Sequence, residues 1–162
     1  MSSAFQFTFD KVTGFEYDTL NPNTSNSTDP RVPIPLDNTT GEVTLSTITI
    51  PVNSKKSFIW LSATIGFRVN GPVASGAPAA MTFKIWKGSP GTGSLVYSTT
   101  DSGQGGAGDP TFRISNLNHV DKEKKSCPAL ISYSLTVEAF DIESIDIIGP
   151  ITFTAVEIID EE

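Results

Sequence analysis

Hydrophobic and polar residues alternate strictly in two segments of the chain. Six alternate positions within 59–69 are apolar, and the positions between them include Trp60, Ser62 and Arg68. A second alternation covers 131–139, where serine, threonine and glutamate occupy the opposite positions. A period of two indicates a β-strand with one buried and one solvated face, as in antiparallel sheets.

Further strands follow from shorter apolar runs that are separated by glycine, proline, asparagine and serine. No window of twelve or more residues shows a helical period, so almost no helix is expected. Regularly spaced short strands are typical of a sandwich or barrel. The pattern predicts an all-β fold, a jelly-roll-like antiparallel β-sandwich of about eight strands, placed near 43–51, 57–69, 80–87, 94–99, 110–116, 129–139, 142–148 and 150–159.

The N-terminal quarter of the chain has a different composition. In residues 21–40, 16 of the 20 positions are Asn, Asp, Pro, Ser or Thr, which is too polar to build a core. We therefore predict an extended N-terminal arm at 1–41 and a β-sandwich domain at 42–162.

Phe5, Phe7 and Phe9 alternate with polar residues at the far end of this arm, which predicts a short strand with three aromatic side chains on one face. One interpretation is an edge strand of the same domain. However, a connection of roughly 30 residues is unusual in a compact domain. The alternative is that the strand docks on a neighbouring subunit, and head-to-tail docking that does not close forms a filament.

The composition argues against most catalytic and cofactor chemistry. The chain has one His and one Cys, too few for the usual metal sites or disulfide frameworks. The net charge of −7 argues against nucleic-acid and membrane partners, which require a basic surface. We expect no enzymatic activity, no catalytic residues, no cofactor and no bound metal.

Three local motifs have simpler explanations than the chemistry they suggest. The glycine-rich run 103–108 matches G-x-G-x-x-G, but a strand rather than a helix follows, so a flexible loop is predicted. His119 is predicted to lie in a loop near Asp121, without a G-x-S-x-G nucleophile motif. Cys127 is predicted to be an unpaired thiol, although a disulfide to another subunit remains open.

Trp86 is the candidate ligand contact. It lies on the strand face opposite Phe83 and Ile85, so its ring is expected to point outward. An outward tryptophan suits stacking on a sugar, and it equally suits a subunit contact. The alternative function is therefore a carbohydrate- or receptor-binding module, lectin-like or the head of a phage or viral fibre, that uses Trp86 and the loops at 71–79 and 101–110.

Four segments resemble a pattern seen in surface proteins of bacterial endospores, which include exosporium proteins and the fibre subunits of endospore appendages. They are ITIPV at 48–52, FIWLSATIGF at 58–67, TFKIWK at 82–87 and IGPITFTAVEI at 148–158. The resemblance covers about 43–159. It implies a jelly-roll fold, self-assembly through an N-terminal extension, and contacts with other spore-surface proteins.

Residues 1–41 contain no cysteine, so the N-terminal extension cannot form a disulfide with a neighbouring subunit. The join that the resemblance implies is therefore non-covalent and uses Phe5, Phe7 and Phe9. The start of the chain lacks the charged and apolar regions of a secretory signal. This fits the resemblance, because such proteins are made in the cytosol and placed on the spore surface. The leading hypothesis is a structural subunit that forms a homo-oligomer, either a fibre or a surface layer.

Overall fold

The computed structural model describes residues 11–20, 30–70, 79–103, 110–122, 129–140 and 145–159. Within them the chain forms nine β-strands and no helix, so no helix is available to span a membrane there. In chain order they are β1 (Lys11–Leu20), β2 (Ile34–Leu36), β3 (Val43–Val52), β4 (Ser57–Val69), β5 (Ala79–Lys87), β6 (Ser94–Gly103), β7 (Thr111–Lys122), β8 (Ala129–Ala139) and β9 (Ile145–Ile159).

The strands form two antiparallel sheets. The first sheet has the order β1-β9-β4-β7, and β2 pairs with the far end of β9. The second sheet has the order β3-β8-β5-β6. Strands that are adjacent in sequence thus mostly lie in opposite sheets, as they do in a double Greek key. The predicted jelly-roll-like β-sandwich is confirmed.

The core lies between the two sheets and contains the residues that alternation assigned to buried faces. The alternate apolar residues of β4, at odd positions from Ile59 to Val69, are almost fully buried, and so are those of β8 from Ile131 to Ala139. Phe67 of the first sheet contacts Phe83 of the second, with ring centroids 6.5 Å apart. The apolar area that this core removes from water holds the sheets together.

Two strands lie within the segment predicted as an arm. The hydrophobic pattern predicts no strand at Lys11–Leu20 or Ile34–Leu36, yet both pair with β9. In β1 the usual arrangement is reversed, because Phe15 and Tyr17 face solvent while Asp18 faces inward and accepts a hydrogen bond from Ser46. A strand with its apolar side outward is not recognised by a search for a buried face.

The last strand is also longer than predicted. Strands near 142–148 and 150–159 were expected, but β9 is continuous from Ile145 to Ile159. The separating signal was Gly149-Pro150, a typical turn pair. The structure accommodates this pair within the strand, opposite Gly66 of β4, where the register between β4 and β9 shifts.

Candidate functional site

The outer face of the first sheet is the most distinctive surface of the described residues. Its side chains form rows across β1, β9, β4 and β7, because directly paired residues point to the same side of a sheet. Phe15 pairs with Val156, which pairs with Trp60, which in turn pairs with Val120. This row is apolar from one edge of the sheet to the other.

The apolar row belongs to a larger patch at the end of the sheet where β1 begins. The adjoining row contains Val12, Ile158 and Phe58, and Lys122 at its edge. Tyr17 continues the patch along β1, with its ring centroid 5.6 Å from that of Phe15. We call this patch the apolar band; it consists of Val12, Phe15, Tyr17, Phe58, Trp60, Val120, Val156 and Ile158.

The band is exposed to a degree that is unusual for such residues. Val12, Phe15, Tyr17, Trp60 and Val120 are between 46% and 64% exposed. Among the described residues ten large hydrophobic side chains are exposed, and seven of them lie on this one sheet face, since Phe112 and Ile114 occupy its other end. Scattered apolar residues are normal on a surface, whereas a contiguous patch marks an interaction site.

Polar side chains separate the two apolar ends of the face. The hydroxyls of Thr19 and Thr152 lie 3.0 Å apart, and Thr64 donates a hydrogen bond of 3.0 Å to Asn116. At the edge of the band, the Lys122 ammonium lies 5.0 Å from the centroid of the Phe58 ring. No carboxylate side chain belongs to the band as defined, so its chemistry is that of apolar and aromatic contact.

None of the three residues of the predicted interface can be placed. Phe5, Phe7 and Phe9 lie outside the described residues, and so do Cys127 and residues 104–108 of the glycine-rich run. The band itself was not predicted as a site. Trp60 was recognised as an outward residue of β4, but sequence patterns do not show which outward residues of different strands become neighbours.

Trp86 lies where the alternation predicted it, on the outer face of the second sheet. Its indole nitrogen donates hydrogen bonds to Glu42 (2.5 Å) and Thr136 (3.2 Å). Burial raises the pKa of Glu42, but hydrogen bonds from Thr136, Lys84 and Trp86 outweigh it and hold this pKa below its ordinary value. The side chain is therefore fixed by its own domain through a carboxylate.

Lys84 links Glu42 to Glu138 beside this tryptophan. Its ammonium lies 2.9 Å from Glu42 and 2.7 Å from Glu138. The hydrogen bond to Glu138 raises the pKa of Lys84, and the bond to Glu42 adds to this despite partial burial. The cluster is a network of satisfied charges around Trp86, with the hydroxyl of Thr136 as a further member.

The prediction for His119 is wrong in its location. His119 lies in β7 and not in a loop, with its ring centroid 5.4 Å from that of Tyr97. The strand was predicted near 110–116, whereas β7 continues to Lys122. Asp121 lies on the same face of β7, and its Oδ2 accepts hydrogen bonds of 2.8 Å from Lys87 and Tyr133.

Within the part of the chain that the structure describes, no group of three His, Cys, Asp or Glu side chains is arranged to hold a metal.

Comparisons with known proteins identify no family. No family model matches the sequence, and no curated protein does. Several solved structures share the β-sandwich only distantly. An arabinose-bound α-L-arabinofuranosidase, MgGH51, matches with a TM-score of 0.42 and 8% identity over 86% of this chain. The chain spans 23% of that enzyme's length.

Two smaller proteins match over nearly their whole length. Eiger TNF from S. frugiperda has a TM-score of 0.37 and 9% identity, over 93% of this chain and 95% of its own. A CBM4 structure has a TM-score of 0.26 and 11% identity, over 94% and 97%. At these values the similarity carries no information on ligand or activity, and the jelly-roll assignment rests on the strand order.

Proposed function

We propose that this protein is a structural subunit that self-assembles into a fibre or surface layer, as the resemblance to endospore surface proteins implies. The apolar band is the observation that carries the proposal. Exposing this many aromatic and aliphatic side chains on one face is unfavourable for an isolated molecule and becomes favourable when a partner covers them.

The size of the band indicates what covers it. Four strands spaced by about 4.8 Å span about 14 Å, and the patch has a similar length along the strands. A stable interface between two folded proteins buries about 800 Å² on each partner, several times this footprint. The band is therefore too small to hold two sheet faces together by itself, and it suits a short segment of chain.

Phe5, Phe7 and Phe9 are the occupant to which we commit. In an extended strand these three residues span about 13 Å and point to one side, which matches the width of the band. The band lies along β1 from Val12 to Tyr17, so a segment that continued the direction of β1 beyond Lys11 would leave the band of its own molecule. We therefore propose that the segment docks on the band of a neighbouring subunit, without a disulfide.

Removal of residues 1–9 tests this proposal, because it leaves β1 intact. We expect the full-length protein to form oligomers or filaments in sedimentation and negative-stain microscopy, and the truncated protein to lose the filaments. Trp60→Lys should have the same effect. Leu130→Lys is the matched control, since Leu130 is 76% exposed on the second sheet.

The proposal fails if full-length protein stays monomeric at high concentration. It also fails if the truncated protein and Trp60→Lys form filaments as readily as the unaltered chain.

Location on endospores is a separate proposal, which rests on the resemblance, and contacts with other spore-surface proteins belong with it. Antibody labelling of intact spores of the source organism tests it, and labelling confined to the cytosol would contradict it.

Binding of a carbohydrate at Trp86 is the second candidate. Its support is the position of Trp86 on an outer sheet face lined by serine and threonine hydroxyls, among them Thr47 and Ser134. A glycan array with monomeric protein would detect such binding, and Trp86→Ala should abolish it. No binding by either form would remove this candidate and leave self-assembly untouched.

A further inference from the structure

The edge strand β7 has features of a pairing surface. Its twelve residues pair with β4 in a register that runs without interruption from Lys122, opposite Phe58, to Thr111, opposite Val69. No other described strand pairs with β7, so its second edge carries backbone donors and acceptors without a strand partner. A long, regular edge is a template for another strand.

Among the other edge strands, β2 has only three residues, and β1, β3 and β6 carry features that discourage such pairing. The register of β1 with β9 is broken by a bulge between Val12 and Gly14. The edge strand β3 contains Pro51 and a bulge next to Thr44, and the pairing of β6 with β5 is irregular beside Trp86. Bulges and prolines are among the features that protect edges, and β7 contains neither.

The sequence of β7 is complementary to itself when a second copy is placed antiparallel about Leu117. On the outer face, Ile114 then lies opposite Val120 of the second copy, and Asn116 lies opposite its Asn118. Each of these pairs occurs twice by symmetry. The outer face thereby gains apolar and amide pairs, which are favourable directly across strands.

The inner face decides the register because it carries opposite charges. About Leu117, Arg113 lies opposite Asp121 of the second copy, again twice by symmetry. Arg113 is exposed and has no carboxylate partner among the described residues. Asp121 uses Oδ2 for Lys87 and Tyr133, which leaves Oδ1 for a guanidinium.

The neighbouring symmetric register about Asn116 is less favourable. When the symmetry axis passes through Asn116, Arg113 lies opposite His119 of the second copy, and Asp121 lies opposite Thr111. The two ion pairs are lost, and a cation faces an imidazole. Both registers place apolar side chains opposite each other, Ile114 and Val120 in the one and Phe112 and Val120 in the other, but of the two only the register about Leu117 places Arg113 opposite a carboxylate.

We infer that two copies of this chain pair antiparallel through β7 with a two-fold axis at Leu117. The dimer then contains one continuous sheet of the order β1-β9-β4-β7 followed by its symmetry copy. Such an interface is isologous, so it forms closed dimers, whereas docking of the N-terminal segment is heterologous and extends a fibre. The inference refines the proposed self-assembly by naming a second contact, and it uses residues that do not belong to the N-terminal segment.

Cysteine pairs test the register directly, in a Cys127→Ser background. Asn116→Cys and Asn118→Cys are each made alone, and the two proteins are then mixed and oxidised. Directly opposed residues have Cβ atoms about 4.5–5.5 Å apart, close to disulfide geometry. We expect the mixture to form the 116–118 disulfide at least tenfold faster than either protein alone forms a disulfide between two of its own copies. Faster cross-linking of Asn116→Cys to itself would overturn the register.

The strength of the contact is tested with protein that lacks residues 1–9. This protein should remain dimeric in sedimentation, and Arg113→Glu or Ile114→Lys should raise the dissociation constant of the dimer at least tenfold. Leu130→Lys should leave it unchanged. Circular dichroism of each variant confirms that the sandwich is folded.

The outcomes separate this inference from the proposed function. If truncated protein is monomeric while full-length protein forms filaments, pairing through β7 is wrong and self-assembly stands. Unchanged dimerisation of Arg113→Glu and Ile114→Lys would likewise exclude β7 as the contact. A full-length protein that is monomeric at every concentration would overturn both.

Discussion

Glu157 shows how one charged residue is accommodated inside the sandwich. Its side chain is fully buried on the inner face of β9, and its carboxylate accepts hydrogen bonds from Thr13, Asn53 and Ser57. Asn53 donates twice, through its backbone (2.7 Å) and its side-chain amide (2.9 Å). A buried carboxylate needs such donors, because desolvation penalises the charge. The carboxylate thereby ties β1 to β4 and β9.

Glu157 is expected to make the stability of the fold depend on pH. Burial raises its pKa, but the hydrogen bonds from Ser57, Thr13 and Asn53 outweigh burial and hold the pKa below its ordinary value of 4.5. Because the carboxylate is favoured in the folded state, its contribution is complete above pH 4.5 and is lost as the pH falls through the lowered pKa.

We expect Glu157→Gln to lower the free energy of unfolding by about 2 kcal/mol at pH 7. The NH2 group of the glutamine is itself a donor and would face the donors that now bind the carboxylate. Urea unfolding between pH 7 and the acid range measures this difference. The gap between the variant and the unaltered protein should narrow as the pH falls. A gap that is constant with pH would show that folding does not change the pKa of Glu157, and a gap that widens as the pH falls would show that Glu157 is protonated in the folded state. Glu16→Gln, an exposed change on β1, serves as the control.

Strand β9 is the element on which the sequence pattern and the structure differ most instructively. Gly149-Pro150 indicates a turn, and only the three-dimensional fold shows that β4 leaves room for it. A Cβ atom at Gly66 would lie 2.0 Å from the carbonyl oxygen of Gly149 and 2.9 Å from Cδ of Pro150. The glycine of one strand thus permits the irregularity of the other, a relation that neither segment reveals alone.

Gly66→Ala tests this relation. Because the clash is with backbone atoms, either β4 or β9 must move, and we expect the free energy of unfolding to fall by about 3 kcal/mol or more. Thermal and urea unfolding measure the loss. Ser62→Ala, two outward positions earlier on β4, should change stability by less than about 0.5 kcal/mol. Equal stability of the two variants would show that the contact is not tight.

At the scale of the whole molecule, the sequence predicted the sandwich and most of its strands but not the apolar band. Strands β4 and β8 were predicted closely because they follow the simplest rule, apolar side chains inward. Strand β1 was missed because Phe15 and Tyr17 face outward. Both the missed strand and the apolar band arise from the same departure from that rule. A segment whose apolar residues do not fit the inner face of a strand is therefore a candidate for an exposed apolar surface.

Salt should separate the two contacts proposed for the assembled protein. Docking of Phe5, Phe7 and Phe9 on the apolar band buries apolar surface, which sulfate strengthens. Pairing through β7 relies in part on the charges of Arg113 and Asp121, which are screened as the Debye length falls to about 3 Å near 1 M ionic strength. Sodium chloride is therefore expected to weaken the dimer of the protein that lacks residues 1–9, by several-fold. Filament formation by full-length Arg113→Glu, measured by light scattering, should be insensitive to sodium chloride and promoted by sulfate. Filaments of that variant that dissolve in sodium chloride would show that charge, rather than the apolar band, holds the subunits together.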